Sequence, residues 1–283
     1  MKLIAIIFLV NFTIFADTGK GESKFCQSAD IKLDELKEMI GEKDCPSPVA
    51  PFKLLMSCKE IYDLTGSKEN KAYVVDVNCC RKLPVYYNVD GAGLGDCGGG
   101  GWTLVMKING AKQTFKFDSP FWSNKKEYGL PEGETGLDYR GTKLPTYWNT
   151  PFTKICLGMK VGEVTKFFVL NRKASSLYVL IADGKYRKTS LGRDEWMKLI
   201  TGASLQNNCQ KEGFNVPSVN ANASKARIGI LGNNENDCKS SNSRIGFGTA
   251  GYPANTNSCG NVAKYGGDNG DKWIKAMGYI FVQ

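Results

Sequence analysis

From Trp102 onward the side chains alternate. Trp102, Leu104, Met106 and Ile108 fall on one side of an extended chain, and Thr103, Val105 and Lys107 fall on the other. The pattern predicts a half-buried strand. Gly98, Gly99, Gly100 and Gly101 run straight into it. Four glycines cost too much backbone entropy for a regular element, so they predict a sharp bend or a close passage of backbone. The apolar runs Val164 to Leu170 and Leu177 to Ala182 predict two further strands, and Asp183-Gly184 predicts a hairpin returning through Lys185 to Leu191. Asp194 to Ile200 predicts a short helix with Trp196, Leu199 and Ile200 apolar. Beyond Gly202, Gly, Asn and Ser dominate, and the predicted strands are brief: Ala226–Leu231, Arg244–Phe247 and Tyr279–Val282. The fold class that follows is α+β: a twisted, mainly antiparallel sheet, a few short helices, and long carboxy-terminal loops held by disulfides or metal.

The front of the chain reads differently. Lys2 followed by the mostly apolar run Leu3 to Phe15, with Ala16 before Asp17, predicts a secretory signal over residues 1–16. The run is shorter than the ~20 residues that span a bilayer. Residues 17–51 predict an arm. Within it Asp30 caps a short helix whose stripe is Ile31, Leu36, Met39 and Ile40, and Gly41 ends it. Cys26 and Cys45 bracket that helix, either as part of an oligomerisation arm or as a disulfide-closed hairpin. Pro46, Pro48 and Pro51 stiffen a linker. Residues 52–283 form the main domain, and no internal repeat is visible.

Export to an oxidising compartment changes the meaning of the ten cysteines: 26, 45, 58, 79, 80, 97, 156, 209, 238 and 259. An even count predicts five disulfides. Local pairing predicts Cys26 with Cys45, Cys156 with Cys209 and Cys238 with Cys259. Two bridges are then left among Cys58, Cys79, Cys80 and Cys97. The formal charge is +9. It favours acidic glycans, acidic matrix proteins or an anionic mineral surface as partners, or serves solubility alone. No basic run interleaved with aromatics points to nucleic acid.

There is no histidine. Its absence removes the commonest general base, the Ser-His-Asp and Cys-His systems and His-containing zinc sites. Gly93 to Gly98 matches G-x-G-x-x-G, but a strand follows where the nucleotide fold needs a helix. Two loops are dense in the oxygen ligands that calcium prefers: Asn233, Asn234, Glu235, Asn236 and Asp237 before Cys238, and Asp268, Asn269 and Asp271 around Gly270. Solvated Asn/Asp turns read the same way. Asn222-Ala223-Ser224 is an N-glycosylation sequon.

The glycine run with Trp102-Thr103-Leu104-Val105, preceded by Ser57-Cys58-Lys59-Glu60-Ile61, resembles the fibrinogen-related domains, in particular their intelectin-like branch. Lys154 to Lys160, Ser224 to Ile230, Asn234 to Cys238 and Met277 to Val282 are similar to secreted cnidarian proteins that include components of the coral skeletal organic matrix. The resemblance covers roughly residues 55–283. It implies a fibrinogen-like domain and a non-enzymatic extracellular matrix protein of a mineralised skeleton. The alternative it implies is a calcium-dependent lectin in innate recognition. Carried over by position, Asp237 and Glu235 are side-chain calcium ligands. In the family a glycan pocket neighbours the calcium region, and the aromatics near it here, Phe247, Tyr252, Tyr265 and Trp273, are the candidate walls on which a sugar face would stack. Two departures stand out. The lectin branch uses a histidine that this chain lacks, and Tyr87 stands where the family places a cysteine, so the first bridge is rerouted to Cys79, Cys80 or Cys97.

Overall fold

The computed structural model describes residues 66–78 and 81–283. The expected signal, arm and linker lie outside the described residues, as do Cys26, Cys45, Cys58, Cys79 and Cys80. The strands in chain order are β1 (Lys71–Asn78), β2 (Arg81–Asn88), β3 (Trp102–Asn109), β4 (Thr142–Lys143), β5 (Phe152–Val161), β6 (Val164–Ala174), β7 (Arg187–Lys188), β8 (Asn208–Pro217), β9 (Lys225–Asn233), β10 (Ser243–Ala250), β11 (Cys259–Ala263), β12 (Lys272–Lys275) and β13 (Met277–Val282). Three short helices join them: α1 (Thr146–Asn149), α2 (Leu177–Ile181) and α3 (Arg193–Lys198).

The first sheet has the order β1-β2-β3-β13-β5-β6, with β4 added on β3. The second has the order β12-β11-β10-β9-β8-β7. Every strand pair among the described residues is antiparallel. The fold is therefore mostly antiparallel sheet with few short helices, as the coarse reading of the pattern expects. No helix among the described residues is long and apolar enough to cross a membrane.

The glycine run does what its composition requires. Gly98 to Gly101 have φ of 50°, 63°, 66° and 77°, a left-handed succession that L side chains resist. A Cβ on Gly100 would lie 2.0 Å from the Val89 carbonyl oxygen. The bend closes as Gly101 N–H donates to that carbonyl at 3.1 Å and Trp102 Nε1 donates to Gly98 O at 2.9 Å.

The strand beyond it is not half-buried. Trp102 to Lys107 and Ile108 are all buried. The register with β13 steps from Phe281↔Leu104 to Ile280↔Met106, leaving Val105 as an extra residue. This bulge interrupts the expected alternation. Trp102 and Leu104 pack with Val85, Tyr87, Phe167, Tyr279 and Phe281. Val105, Met106 and Ile108 belong instead to the main core with Ile228, Ile230, Ile245, Phe247 and Ile280. Both faces of the first sheet are thus covered, and the main core unites residues of both sheets.

Three other expectations are corrected. Leu177 to Ile181 is a helix: Leu177, Leu180 and Ile181 are buried at helical spacing, and Ser176 caps it by accepting from Val179 N at 3.3 Å. Gly184 (φ 69°) therefore ends a helix and makes no hairpin tip, and only Arg187–Lys188 of the expected return strand forms, paired with β8. The predicted strands Ala226–Leu231, Arg244–Phe247 and Tyr279–Val282 lie within β9, β10 and β13, but the polar carboxy half holds more strand than expected and supplies most of a six-stranded sheet. Gly213, Gly229, Gly246 and Gly260 lie opposite one another on β8, β9, β10 and β11. A Cβ at these positions would come within 2.0, 2.4, 2.5 and 2.0 Å of backbone oxygens on the neighbouring strands. Close approach of twisted strands selects glycine here.

Two of the local disulfide pairings, Cys156 with Cys209 and Cys238 with Cys259, are also corrected. Cys97 joins Cys156 and Cys209 joins Cys238, while Cys259 is a buried free thiol. Cys259 lies beneath Gly278, whose Cβ would meet its Sγ at 2.6 Å, and burial pushes its thiol pKa far above the ordinary value.

Candidate functional site

The two oxygen-rich loops flank one short spine, Ala203 to Gln206. The first loop leaves β9 at Asn233 and is tied back at Cys238 by the bridge to Cys209 on β8. The second, between β11 and β12, folds onto the spine. Asp268 N donates to Leu205 O at 3.2 Å, Asn269 N donates to Ser204 Oγ at 3.2 Å, and Asn269 Nδ2 donates to Ala203 O at 2.6 Å. Gln206 links the loops directly: its Nε2 donates to Asn234 Oδ1 at 3.2 Å and to Tyr265 O at 2.8 Å.

The carboxylates of these loops have protein partners. Asp268 accepts from Arg193 Nη2 at 2.5 Å and from Leu205 N at 3.0 Å. Burial works against its charge, but these donors hold its pKa below the ordinary value. Asp271 accepts from Tyr265 N at 3.1 Å, Asp237 from Lys239 N at 2.7 Å, and Glu235 from Asn234 Nδ2 at 2.9 Å. Asn236 is exposed. Among the described residues no cluster of three or more His, Cys, Asp or Glu side chains could hold a metal. Two amide oxygens are different. Gln206 and Asn233 are fully buried, and Gln206 Oε1 and Asn233 Oδ1 have no hydrogen-bond partner. Asn233 Nδ2 is spent on Asp237 O at 2.9 Å. Buried oxygens of this kind are normally satisfied by water or a cation.

The expected pocket walls separate into three groups. Phe247 is wholly buried in the core, so it cannot face a ligand. Trp273 is 52% exposed on the edge strand β12. Tyr252 and Tyr265 come together, 42% and 52% exposed, with ring centroids 6.3 Å apart and planes 22° apart. Their hydroxyls are 2.5 Å apart. The Lys264 ammonium lies 4.7 Å from the Tyr265 ring centroid and 5.6 Å from that of Tyr252, and donates to the Tyr252 hydroxyl at 3.2 Å. The hydrogen bonds from Tyr252 and Lys264 lower the Tyr265 pKa.

Beneath Tyr252 sits Arg244, fully buried with no carboxylate among its hydrogen-bond partners. Its Nη1 donates to Ser224 Oγ at 3.0 Å and Gly251 O at 3.1 Å, and its Nη2 to Ala254 O at 2.6 Å. Burial pulls its pKa down to about 9. The guanidinium thus pins the loop that presents Tyr252. Asn222 of the sequon is exposed beside this loop, and its carbonyl accepts from Tyr252 N at 2.7 Å. Sequence reasoning singled out neither Gln206 nor Arg244, and nothing local marks them. An open cleft of about 720 Å³ at the other sheet, lined by Thr103, Thr150, Phe152 and Lys173 among others, includes none of the expected site residues.

No family model matches the chain. No curated protein matches it either. The arrangement itself offers an exposed, stacked pair of phenol rings with an ammonium alongside. Such a surface stacks against the apolar face of a ring-shaped polar ligand and donates hydrogen bonds at its rim.

Proposed function

We propose that this protein is a secreted, non-enzymatic component of an extracellular matrix, with a fibrinogen-like domain that holds glycans or glycosylated partners on the Tyr252–Tyr265 platform. The exposed, stacked tyrosine pair carries this reading. The buried Arg244 and Gln206 support it, because they fix both loops that present the rings. The two disulfides suit an oxidising, extracellular setting. The fibrinogen-like identity rests on the resemblance around Gly98–Trp102, and the antiparallel sheets are compatible with it. A mineralised skeleton as the site of deposition rests on the same resemblance, and the +9 charge suits acidic matrix partners.

The alternative, a calcium-dependent lectin, is favoured by one observation: the partnerless amide oxygens of Gln206 and Asn233. Together with Asp237 they offer oxygen ligands of the kind calcium takes, although carboxylates committed to Arg193 and to backbone N–H groups make this a weak site. Calcium there would neutralise the loop and fix Tyr265 through Gln206.

A glycan array probed with calcium and with chelator tests both readings. Retention in both conditions, falling about tenfold or more in Tyr265→Ala, which corresponds to ~1.4 kcal/mol, is expected for the platform. Retention that vanishes with chelator and in Gln206→Leu selects the lectin. Silence in both conditions removes glycan binding.

A further inference from the structure

A second unusual lysine environment lies far along the chain from the platform residues. Lys143 on β4 is completely buried. Its backbone is clamped to the preceding loop: Lys143 N donates to Tyr128 O at 2.8 Å and Tyr128 N donates to Lys143 O at 3.0 Å. Its Nζ sits 4.7, 5.3 and 5.8 Å from the ring centroids of Tyr147, Trp148 and Phe121. Its hydrogen-bond partners both belong to one residue: Asn124 O at 2.7 Å and Asn124 Oδ1 at 3.1 Å. The nearby carboxylate of Glu127 is occupied by a two-pronged pair with Arg81 at 2.6 and 2.7 Å. Burial pulls the Lys143 pKa down to about 7, only partly opposed by Glu127, so the free amine is well populated at neutral pH.

Asn124 is held just as firmly. The turn Pro120–Trp122 is capped by Ser119, Asn124 N donates to Pro120 O at 3.0 Å, and Asn124 Oδ1 also accepts from Lys126 N at 3.1 Å. That N–H polarises the side-chain carbonyl and points to where negative charge would build on attack. The amide carbon lies within one C=O bond, ~1.2 Å, of an oxygen already touching Nζ.

We infer that Lys143 and Asn124 are positioned to join in an intramolecular isopeptide bond. The Nζ lone pair attacks Cγ of Asn124, and the charge on Oδ1 is met by Lys126 N–H. One Nζ proton ends on Nδ2, the Cγ–Nδ2 bond breaks, and ammonia leaves. One C–N bond forms and one breaks, with no change of oxidation state and no co-reactant. Three features favour the step: an uncharged amine nucleophile, an aromatic surround that keeps the Lys143 side chain buried, and a fixed juxtaposition with Asn124 that raises the effective concentration. Lys107 shows what the cage lacks elsewhere. It is equally buried, but it bonds the Asp138 carboxylate at 2.5 Å and Thr135 Oγ1 at 2.9 Å, which keep its ammonium satisfied.

The link would tie the loop carrying Phe121 and Trp122 to the first sheet. The test is mass spectrometry of the full, folded chain. The intact mass should fall short by one ammonia, and trypsin should release Phe117–Lys125 joined to Gly141–Lys154, with Lys143 uncut. Lys143→Arg and Asn124→Ala should each restore the full mass. In freshly folded protein the linked form should accumulate roughly 30-fold faster at pH 8 than at pH 5.5, following the free-amine fraction for a pKa of about 7. Recovery of Phe117–Lys125 and Leu144–Lys154 as separate peptides in full yield, after prolonged incubation of the folded wild-type chain at pH 8, would overturn the inference. So would an ammonia loss located at any other pair.

Discussion

The two sheets share antiparallel geometry but are specified by different chemistry. The first buries large apolar side chains on both faces: Val85, Trp102, Leu104 and Phe281 in one cluster, Met106, Ile155, Leu157 and Ile280 in the other. The second is apolar toward the shared core but is knit elsewhere by small and polar groups. Four glycines align across β8–β11. Asn261, fully buried, bonds Ser204 O at 2.8 Å and Arg244 O at 2.9 Å through Nδ2 and accepts from Ser204 N at 2.8 Å. Arg244 spans to the loop above. The first sheet therefore depends on filled volume, and the second on backbone proximity and satisfied polar atoms.

The largest effect expected from this difference is at Arg244. Arg244→Met keeps an unbranched stem but removes the guanidinium, which strands the carbonyls of Gly251 and Ala254 and takes a donor from Ser224 Oγ, all contacts of a fully buried group. Each orphaned buried acceptor costs ~1–3 kcal/mol, so a loss of about 4 kcal/mol is expected by urea denaturation. The platform loop should loosen with it. A loss under 1 kcal/mol would mean that this loop closes without the guanidinium, and the contrast between the sheets would fail at its strongest point.

How much of this was legible beforehand follows the same division. The bend at Gly98–Gly101 could be read because its demand is local: four residues need positive φ and one lies on Val89. Apolar alternation located β3, but the bulge at Val105 depends on pairing with β13, more than 170 positions along the chain, and no local pattern encodes it. Leu177–Ile181 reads as a strand from its pattern yet folds as a helix, because a short apolar run suits either period. The deciding signal was Ser176 as a cap. The aligned glycines were spread through a segment that looked like loop, since only register makes them a row. For the site, Tyr252 and Tyr265 were visible as aromatics near an Asn/Asp-rich loop. Gln206 and Arg244 gain their meaning from partners 28 to 59 and 7 to 20 residues distant and were not visible. Phe247 could not be told from its exposed neighbours by residue type, and its burial comes from facing Gly278 across the core.

A paired substitution sharpens the comparison at the next level. Gly246→Ala in the second sheet puts a methyl 2.5 Å from Ile228 O and 3.0 Å from the Gly229 Cα, both backbone atoms that cannot swing away. The strands must part, at about 3 kcal/mol. Leu157→Ala in the first sheet removes a fully buried side chain and leaves a cavity, also about 3 kcal/mol. The costs are similar but their causes are opposite, so the remedies differ. A small apolar molecule that fills the cavity should recover part of the loss in Leu157→Ala and none in Gly246→Ala. Equal rescue of both would erase the distinction.

The smallest expected effect concerns acid. Glu212 on β8 is nearly buried and accepts from Thr189 Oγ1 at 2.7 Å, Trp196 Nε1 at 2.8 Å, Gly192 N at 2.9 Å and Leu191 N at 3.2 Å. Burial pushes its pKa up, but four donors outweigh that and hold it below the ordinary carboxylate value. Trp196 in turn packs edge-on against Phe168 of the first sheet, with centroids 5.1 Å apart, so this carboxylate steadies a joint between the sheets. Because the folded pKa is the lower one, the unfolded chain binds the proton more readily. The stabilisation is complete above the unfolded value of ~4.3 and disappears as pH falls through the folded value. Glu212→Gln should therefore cost about 2 kcal/mol at neutral pH, since the amide places N–H groups against donors that need an acceptor. The gap between the wild type and Glu212→Gln in urea midpoint should shrink as pH falls below about 4, because the wild type alone loses a charged acceptor. Asp138, also held low by Lys107, cancels in that difference. A gap that stays constant from pH 7 to pH 3 would show that the donors around Glu212 stabilise its neutral form equally well, and acid sensitivity would then have to come from elsewhere than the second sheet.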